Sequence, residues 1–403
     1  MTTPARPSGI ELADIFHEFG PSYRAQHRLR LQHLKVMNAI EKCRTAALGG
    51  HIDKCDTCDY EQMSYNSCRN RHCPKCGWSA KEKWVSARLK ELLPVTYFHV
   101  VFTIPQELNA LTLVNQDVLY RILFRAGSET LGDLGRDPKH LGGQIGCIVV
   151  LHTWGQNLMD HPHLHCLVPG GGLSPDGERW LFPKKMNTNK AFFIHVNVLS
   201  DLFKKKFLAY LKHAYQQGQL KFVGKTESLG EESKFCTLIN KLYKKGWVVY
   251  CKSPFSGPKK VVEYLARYTH RVAISNYRLL KLERDEVTFK WWDYRDGKAK
   301  LMTLQAFEFI RRFLLHILPK NFYRIRYYGI LSSCNRKTKL LQCQKLLWTT
   351  DGPALEEVQV LSLADFKDIE PPRCPKCETG HLLQIPMMPP QHSPSPRLEP
   401  APT

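Results

Sequence analysis

The sequence predicts an α+β protein in which a small cysteine-rich helical module precedes a core of antiparallel strands and helices. Three observations predict it. Two CxxC pairs stand between helix-like stretches in the first 95 residues. Short β-branched and aromatic runs, broken by turn residues, recur at 97–104, 145–152 and 163–168 and again over 276–304. Longer segments with the apolar spacing of a helix lie among them, around 107–132, 259–274 and 305–318. A chain of 403 residues suits two or three domains. The expected division is 1–95 for the helical cysteine-rich module, 96–345 for the core, and 346–385 for a segment with a further CxxC. Residues 386–403 hold seven prolines and read as a disordered tail.

Residues 22–47 place Leu29, Leu31, Leu34, Val36, Met37 and Ile40 at mainly helical spacing and stop near Gly49-Gly50. The cysteine segment follows, then a helix-like stretch from Ala80 to Leu93 that Pro94 ends, which sets the first boundary. YFHVVFTI at 97–104 reads as a strand stopped by Pro105. IGCIVVLH (145–152) and HLHCLV (163–168) read as neighbouring antiparallel strands, with Pro162 ending the pairing before the second. A helix opens after Pro258 and runs over 259–274. Residues 276–304 alternate as a meander turning at Arg284-Asp285 and Asp296-Gly297, and the helix at 305–318 ends at Pro319.

An apolar fraction of 43% allows a sizeable core, yet no apolar run approaches the roughly 20 residues of a membrane span. The N-terminus MTTPARPSGIELADIFHEF has no apolar stretch of the kind a secretory signal needs. A cytoplasmic protein without a membrane partner is expected. The 58 Lys and Arg exceed the 37 Asp and Glu by 21, an imbalance that points to a polyanionic partner, nucleic acid first. Residues 309–350 carry nine Lys or Arg and no acid, with Phe322, Tyr323, Tyr327 and Tyr328 interleaved. That pattern suits a single-stranded backbone with stacked bases, and equally a basic helix and strand packed through their aromatics.

Cys55-x-x-Cys58 and Cys73-x-x-Cys76 are separated by fourteen residues. In a chain without a secretory signal such pairs read as a tetrahedral thiolate zinc site, each CxxC placing two sulfurs on one tight turn. Four protein ligands leave no open position, so the zinc is expected to be structural. Cys68 and His72 stand between the pairs as reserve ligands. Cys374-x-x-Cys377, with His381 as a candidate third ligand, is either a second zinc site or a pair of unligated thiols.

Two further patterns carry chemistry. In HPHLHCLVPGGG (161–172), His163 and His165 fall on one face of a strand with Leu164 opposite, so two imidazoles converge on one divalent metal. Gln156, His152 and Glu263 are candidates for a third ligand, Gln156 first. In EYLARY (263–268), Tyr264 and Tyr268 stand four apart and share one helix face. Lys259, Lys260, Arg267, His270 and Arg271 surround them with positive charge, which would hold a phosphate and favour a phenolate over its usual pKa near 10.

Together with SYNSCRNRHCPKC (64–76), FTIPQELN (102–109), HTWGQNLMDHPHLHCLVPGGG (152–172), EYLARYTHRVAISN (263–276) and LPKNFYRIRYYG (318–329), these patterns cover most of the chain. They resemble the HUH-type two-tyrosine rolling-circle transposases of the insertion-sequence ninety-one family. The resemblance implies a zinc-binding N-terminal domain, an HUH endonuclease core with an antiparallel sheet backed by helices, and a place in the bacterial cytosol or nucleoid. It further implies that His163 and His165 hold Mg²⁺ or Mn²⁺ and that Tyr264 or Tyr268 nicks single-stranded element ends, leaving a 5′-phosphotyrosine and a free 3′-hydroxyl. No ATP is expected, and the chain has no GxxxxGK[ST] loop. Lys259, Lys260, Arg267, Arg271, Arg324 and Arg326 are the expected DNA contacts. A replication initiator with the same chemistry, or a non-catalytic zinc-dependent DNA-binding protein, are the alternative readings.

Overall fold

The computed structural model describes residues 9–76, 84–85, 87–88, 91–183, 194–255, 271–293, 296–349 and 373–386. The chain divides into two compact units, Met1–Cys76 with Leu361–Thr403, and Gly77–Val360. The C-terminal CxxC segment, expected to stand apart, therefore belongs to the N-terminal unit.

In that unit the expected single helix over 22–47 is two. Helix α1 is Leu12–Gln26 and helix α2 is Leu31–Glu41. The start moves upstream because Glu11 and Asp14 form a reciprocal cap, the Glu11 N–H donating to Asp14 Oδ2 at 2.7 Å. The break comes at His27, whose backbone N–H and Nδ1 both donate to the Tyr23 carbonyl. A hairpin follows, β1 (Gly50–Cys55) paired with β2 (Glu61–Tyr65), and the C-terminal strand Leu382–Pro386 adds to the other side of β1.

The second unit is built on a five-stranded antiparallel sheet. Its strands are β3 (Tyr97–Thr103), β4 (Gly146–Trp154), β5 (Asp160–Pro169), β8 (Val249–Phe255) and β12 (Ile325–Gly329), in the order β12-β4-β5-β3-β8. Two short strands, β6 (Gly172–Leu173) and β7 (Trp180–Leu181), pair after β5. The expected meander is present as β9 (Leu279–Glu283), β10 (Glu286–Asp293) and β11 (Lys298–Gln305). The helical region near 107–132 forms α3 (Asn109–Val114) and α4 (Gln116–Arg136), divided at Asn115, whose amide pairs with Leu111 and Lys221 instead of continuing the helix. Helices α5 (Val196–Gln216), α6 (Glu232–Lys244), α7 (Ala306–Leu315) and α8 (Leu341–Thr349) complete the described elements.

Strand alternation gives the sheet two characters. One face carries Phe102, Val149, Leu151, Leu164 and Cys166 into the main core with Leu123, Phe124, Phe203, Phe207 and Ile239 of the helices. Helix α4 meets β5 at Gly127, where an added Cβ would lie 2.9 Å from Leu164 Cδ1. The opposite face carries the histidines at one end and Tyr97, Ile148 and Leu167 in a smaller core at the other. Strand β5 runs on through Pro162 because the ladder to β4 shifts between His152 and Trp154, and at such an irregularity a proline that cannot donate costs little.

Candidate active site and metal centres

Register sets the histidines. His163 lies directly opposite His152 on β4, and His165 opposite Val150, so all three imidazoles rise from one face. Their nearest ring nitrogens lie within 4.8 Å of one another. His163 Nδ1 donates to the His161 carbonyl at 2.6 Å, which leaves its Nε2 as the lone-pair nitrogen, 3.0 Å from His165 Nε2. Burial, with smaller contributions from the charges of His161 and Arg271, pushes His163 down to about 4. The donor set is thus three imidazoles, two of them held by their outer nitrogens. A cation on His165 Nε2 requires the His165 proton on Nδ1, and there His99 Nε2 stands 2.8 Å away to accept it. The sequence signal for His99 is a lone histidine in the middle of the apolar strand YFHVVFT, and by itself it does not tie His99 to the distant His165. Of the three candidates for a third ligand, the structure joins His152 to the pair. Gln156 lies in the turn beyond β4, where its carbonyl accepts from the Arg278 guanidinium. Glu263 lies outside the described residues.

That turn, Gly155–Leu158, is fastened from outside itself. Three consecutive carbonyls each take a donor: Gln156 from Arg278, Asn157 from Arg312 Nη1 at 3.2 Å, and Leu158 from His316 Nε2 at 3.0 Å. Leu158 is buried in the left-handed region at φ 61. Arg278 precedes β9, and Arg312 and His316 belong to α7 and its end, so the meander and its helix hold the hairpin that delivers the histidines. His316 is fully enclosed, accepts from Thr153 Oγ1 on Nδ1, and is pushed down to about 4 by burial.

Tyr264, Tyr268, Lys259, Lys260 and Arg267 lie outside the described residues. Arg271 is described, and its carbonyl accepts from Arg324 Nη1 at 2.9 Å. Arg326 stacks over Phe124 at 4.2 Å and Phe322 at 5.0 Å. Tyr327 accepts from Trp84 Nε1 and lies under both Arg88 and Arg336. Much of the aromatic and basic interleaving at 309–350 is therefore packing, although Tyr323 is 77% exposed.

The cysteines form two clusters, and neither is the expected set of Cys55, Cys58, Cys73 and Cys76. Cys43, Cys68, Cys73 and Cys76 make the first, and Cys55, Cys58, Cys374 and Cys377 the second. The expected set Cys55, Cys58, Cys73 and Cys76 is split because the two CxxC turns sit at opposite ends of the β1–β2 hairpin. Cys55 and Cys58 cap its tip, while Asn66 returns the chain beside Gly49 and Arg44 at its base. A six-residue strand separates those ends by about 20 Å. His72 stands outside both clusters, and Cys68 is a full member of the first. In the first cluster Cys43 Sγ and Cys68 Sγ lie 3.3 and 3.5 Å from Cys76 Sγ. A tetrahedron with Zn–S bonds of about 2.3 Å has edges of about 3.8 Å, so the thiols suit structural zinc after slight expansion.

Two family models match this chain. A transposase zinc-binding domain matches residues 15–104, and the family described as "Putative transposase" matches 146–339. The protein named "Putative transposase y4qJ" of Sinorhizobium fredii is 48% identical over 387 residues, 94% of this chain and 95% of its own length. The chain belongs to the IS91-type transposase family. The transposase is also 27% identical over 359 residues to the "Transposase for insertion sequence element IS801" of Pseudomonas savastanoi pv. phaseolicola, covering 87% of this chain and 82% of that one. No solved structure gives a significant match. The second family match begins at the start of β4 and so takes in the whole histidine hairpin, its clamp and the segment of the two tyrosines. Among the described residues, no helix is long and apolar enough to cross a membrane.

Proposed function

We propose that this transposase cuts and rejoins single DNA strands at the ends of a mobile element through a 5′-phosphotyrosine intermediate. The observation that carries this reading is the convergence of His152, His163 and His165 on one face of the central strands. These three would hold the divalent metal, and an all-imidazole set suits Mn²⁺ better than the oxygen-seeking Mg²⁺. When bound, the metal supplies Lewis-acid polarisation of the scissile phosphate. Tyr264 or Tyr268 attacks the phosphorus; a phenolic O–P bond forms, the P–O3′ bond breaks, and the 3′ oxygen leaves as a hydroxyl. The second tyrosine, four residues along the same predicted helix face, attacks a second strand without release of the first. The phosphodiester energy stays in the protein–DNA bond, so strand joining needs no ATP. Arg271, whose charge is felt at His163, is a described cation that would help to hold the phosphate.

The test is a single-stranded oligonucleotide of the element end, incubated with Mn²⁺ and examined for a covalent adduct by denaturing electrophoresis and mass spectrometry. The expected result is an adduct in the wild type and none in the double variant Tyr264→Phe, Tyr268→Phe, with DNA binding retained. An adduct in the double variant refutes the tyrosine assignment. No adduct with any divalent metal favours a non-catalytic DNA-binding protein.

A further inference from the structure

We propose that the transposase carries a second structural zinc, held by Cys55 and Cys58 near the chain's beginning and Cys374 and Cys377 near its end, and that this ion fastens the C-terminal strand to the N-terminal unit. Neither family match reaches Cys374 or Cys377, so the family's zinc-binding domain accounts for only half of this ligand set. The four thiols face one another from two knuckles of similar build. Cys55 Sγ lies 3.7 Å from Cys377 Sγ, and Cys58 Sγ 3.6 Å from Cys374 Sγ, close to the edge of a thiolate tetrahedron around zinc. Each knuckle aims backbone N–H groups at its sulfurs. Thr57 and Cys58 donate to Cys55 Sγ, Lys376 to Cys374 Sγ, and Gly380 to Cys377 Sγ. Such donors stabilise thiolates, the form that binds metal.

The two knuckles are also built to meet. The Asp56 N–H donates to the His381 carbonyl, and the His381 N–H to Asp56 Oδ1 at 2.8 Å. Gly380 fills the join, since a Cβ there would lie 2.5 Å from Cys55 Sγ and 2.7 Å from Thr57 Oγ1. The paired sulfurs are 316 and 322 residues apart in sequence, so closing this ring costs chain entropy that something must offset. Apolar burial offers little: Leu383 and Ile385 of the C-terminal strand are 49% and 46% exposed. The strand is a five-pair ladder on β1 whose firm anchor is the metal.

Zinc per chain, measured on the full-length protein by plasma mass spectrometry, is expected to be two. The variant Cys374→Ser, Cys377→Ser is expected to hold one, and hydrogen exchange should show protection lost at 382–385 but kept in the β1–β2 hairpin. One zinc in the wild type, or two in the variant, overturns the proposal. Should the variant fail to fold, cobalt titration of the reduced wild type decides: tetrathiolate absorption saturating at two equivalents supports the second site, and saturation at one refutes it.

Discussion

Leu164 ties the stability of the sheet to the geometry of the histidines, and a double-mutant cycle with Gly127 measures how tightly. Leu164 is completely buried, sits between His163 and His165, and is flanked by hydrogen-bonded partners on both β4 and β3. A site held on two sides collapses poorly, so Leu164→Ala is expected at the upper part of the large-to-small range, about 3–5 kcal/mol. Gly127→Ala alone places a methyl 2.9 Å from Leu164 Cδ1. Overpacking of about 1–3 kcal/mol then opposes a helix-propensity gain of about 1 kcal/mol, leaving a net loss of about 1 kcal/mol. In the Leu164→Ala background the obstructing methyl is gone. The same change should stabilise by about 2 kcal/mol, from propensity plus one buried methyl. The coupling is therefore about 3 kcal/mol, at the top of the range seen for contacting residues. Urea unfolding followed by tryptophan emission isolates the relevant unit, because all eight tryptophans fall within Gly77–Val360. Additivity within about 0.5 kcal/mol would show that α4 does not bear on the histidine strand as the structure has it.

His316 is pushed down to about 4 from 6.5, so the unfolded chain takes up its proton first. Its contribution is full above 6.5 and drains away as the pH falls towards 4. The stability advantage of wild type over His316→Gln should shrink by about 3 kcal/mol from about pH 7 to about pH 4, the subtraction cancelling His163 and also Asp160, which burial pushes up to about 7, and a constant difference would exclude a neutral buried His316. His152→Ala should weaken Mn²⁺ binding by about 100-fold or more in calorimetry, whereas Gln156→Ala should change it less than about 10-fold; the reverse order would make Gln156 the ligand. At Gly329, where φ is 61, a Cβ would run into the Ile145 carbonyl oxygen. Gly329→Ala should therefore cost about 2 kcal/mol or more in the same unfolding assay, and an unchanged midpoint would mean that β12 does not end against β4 as described.

The strands were legible because their signals are local. Alternation alone put His163 and His165 on one face and Leu164 on the other, and the meander at 276–304 announced its turns. What was not legible depends on register or on distant partners. His152 could be named as a candidate but not chosen, since its place opposite His163 is set by the register of β4 on β5. The zinc ligands were grouped by nearness in sequence, a rule that fails when a hairpin sends adjacent CxxC turns to opposite ends. Cys43 gave no signal, being a lone cysteine just past the end of α2. The carbonyl clamp of Arg278, Arg312 and His316 is invisible in sequence because backbone acceptors carry no residue code.

Taken from the sequence alone, the net charge of +21 points to a generic attraction to nucleic acid. The structure assigns several of those charges to internal work. Arg278 and Arg312 cap the turn carbonyls, Arg326 lies over Phe124 and Phe322, and Arg88 and Arg336 lie over Tyr327. A guanidinium suits this because its planar fork satisfies fixed acceptors and rings while remaining charged. Three of these charges are also answered by carboxylates, Arg312 by Glu308 at 2.7 Å and Arg88 and Arg336 by Glu91 at 2.8 and 3.3 Å. In this transposase the charge and the fold are therefore coupled. The arginines of the turn serve its geometry, while the cation whose charge is felt at His163 is Arg271, and a positive, preorganised surround is the environment in which a phosphate can be bound.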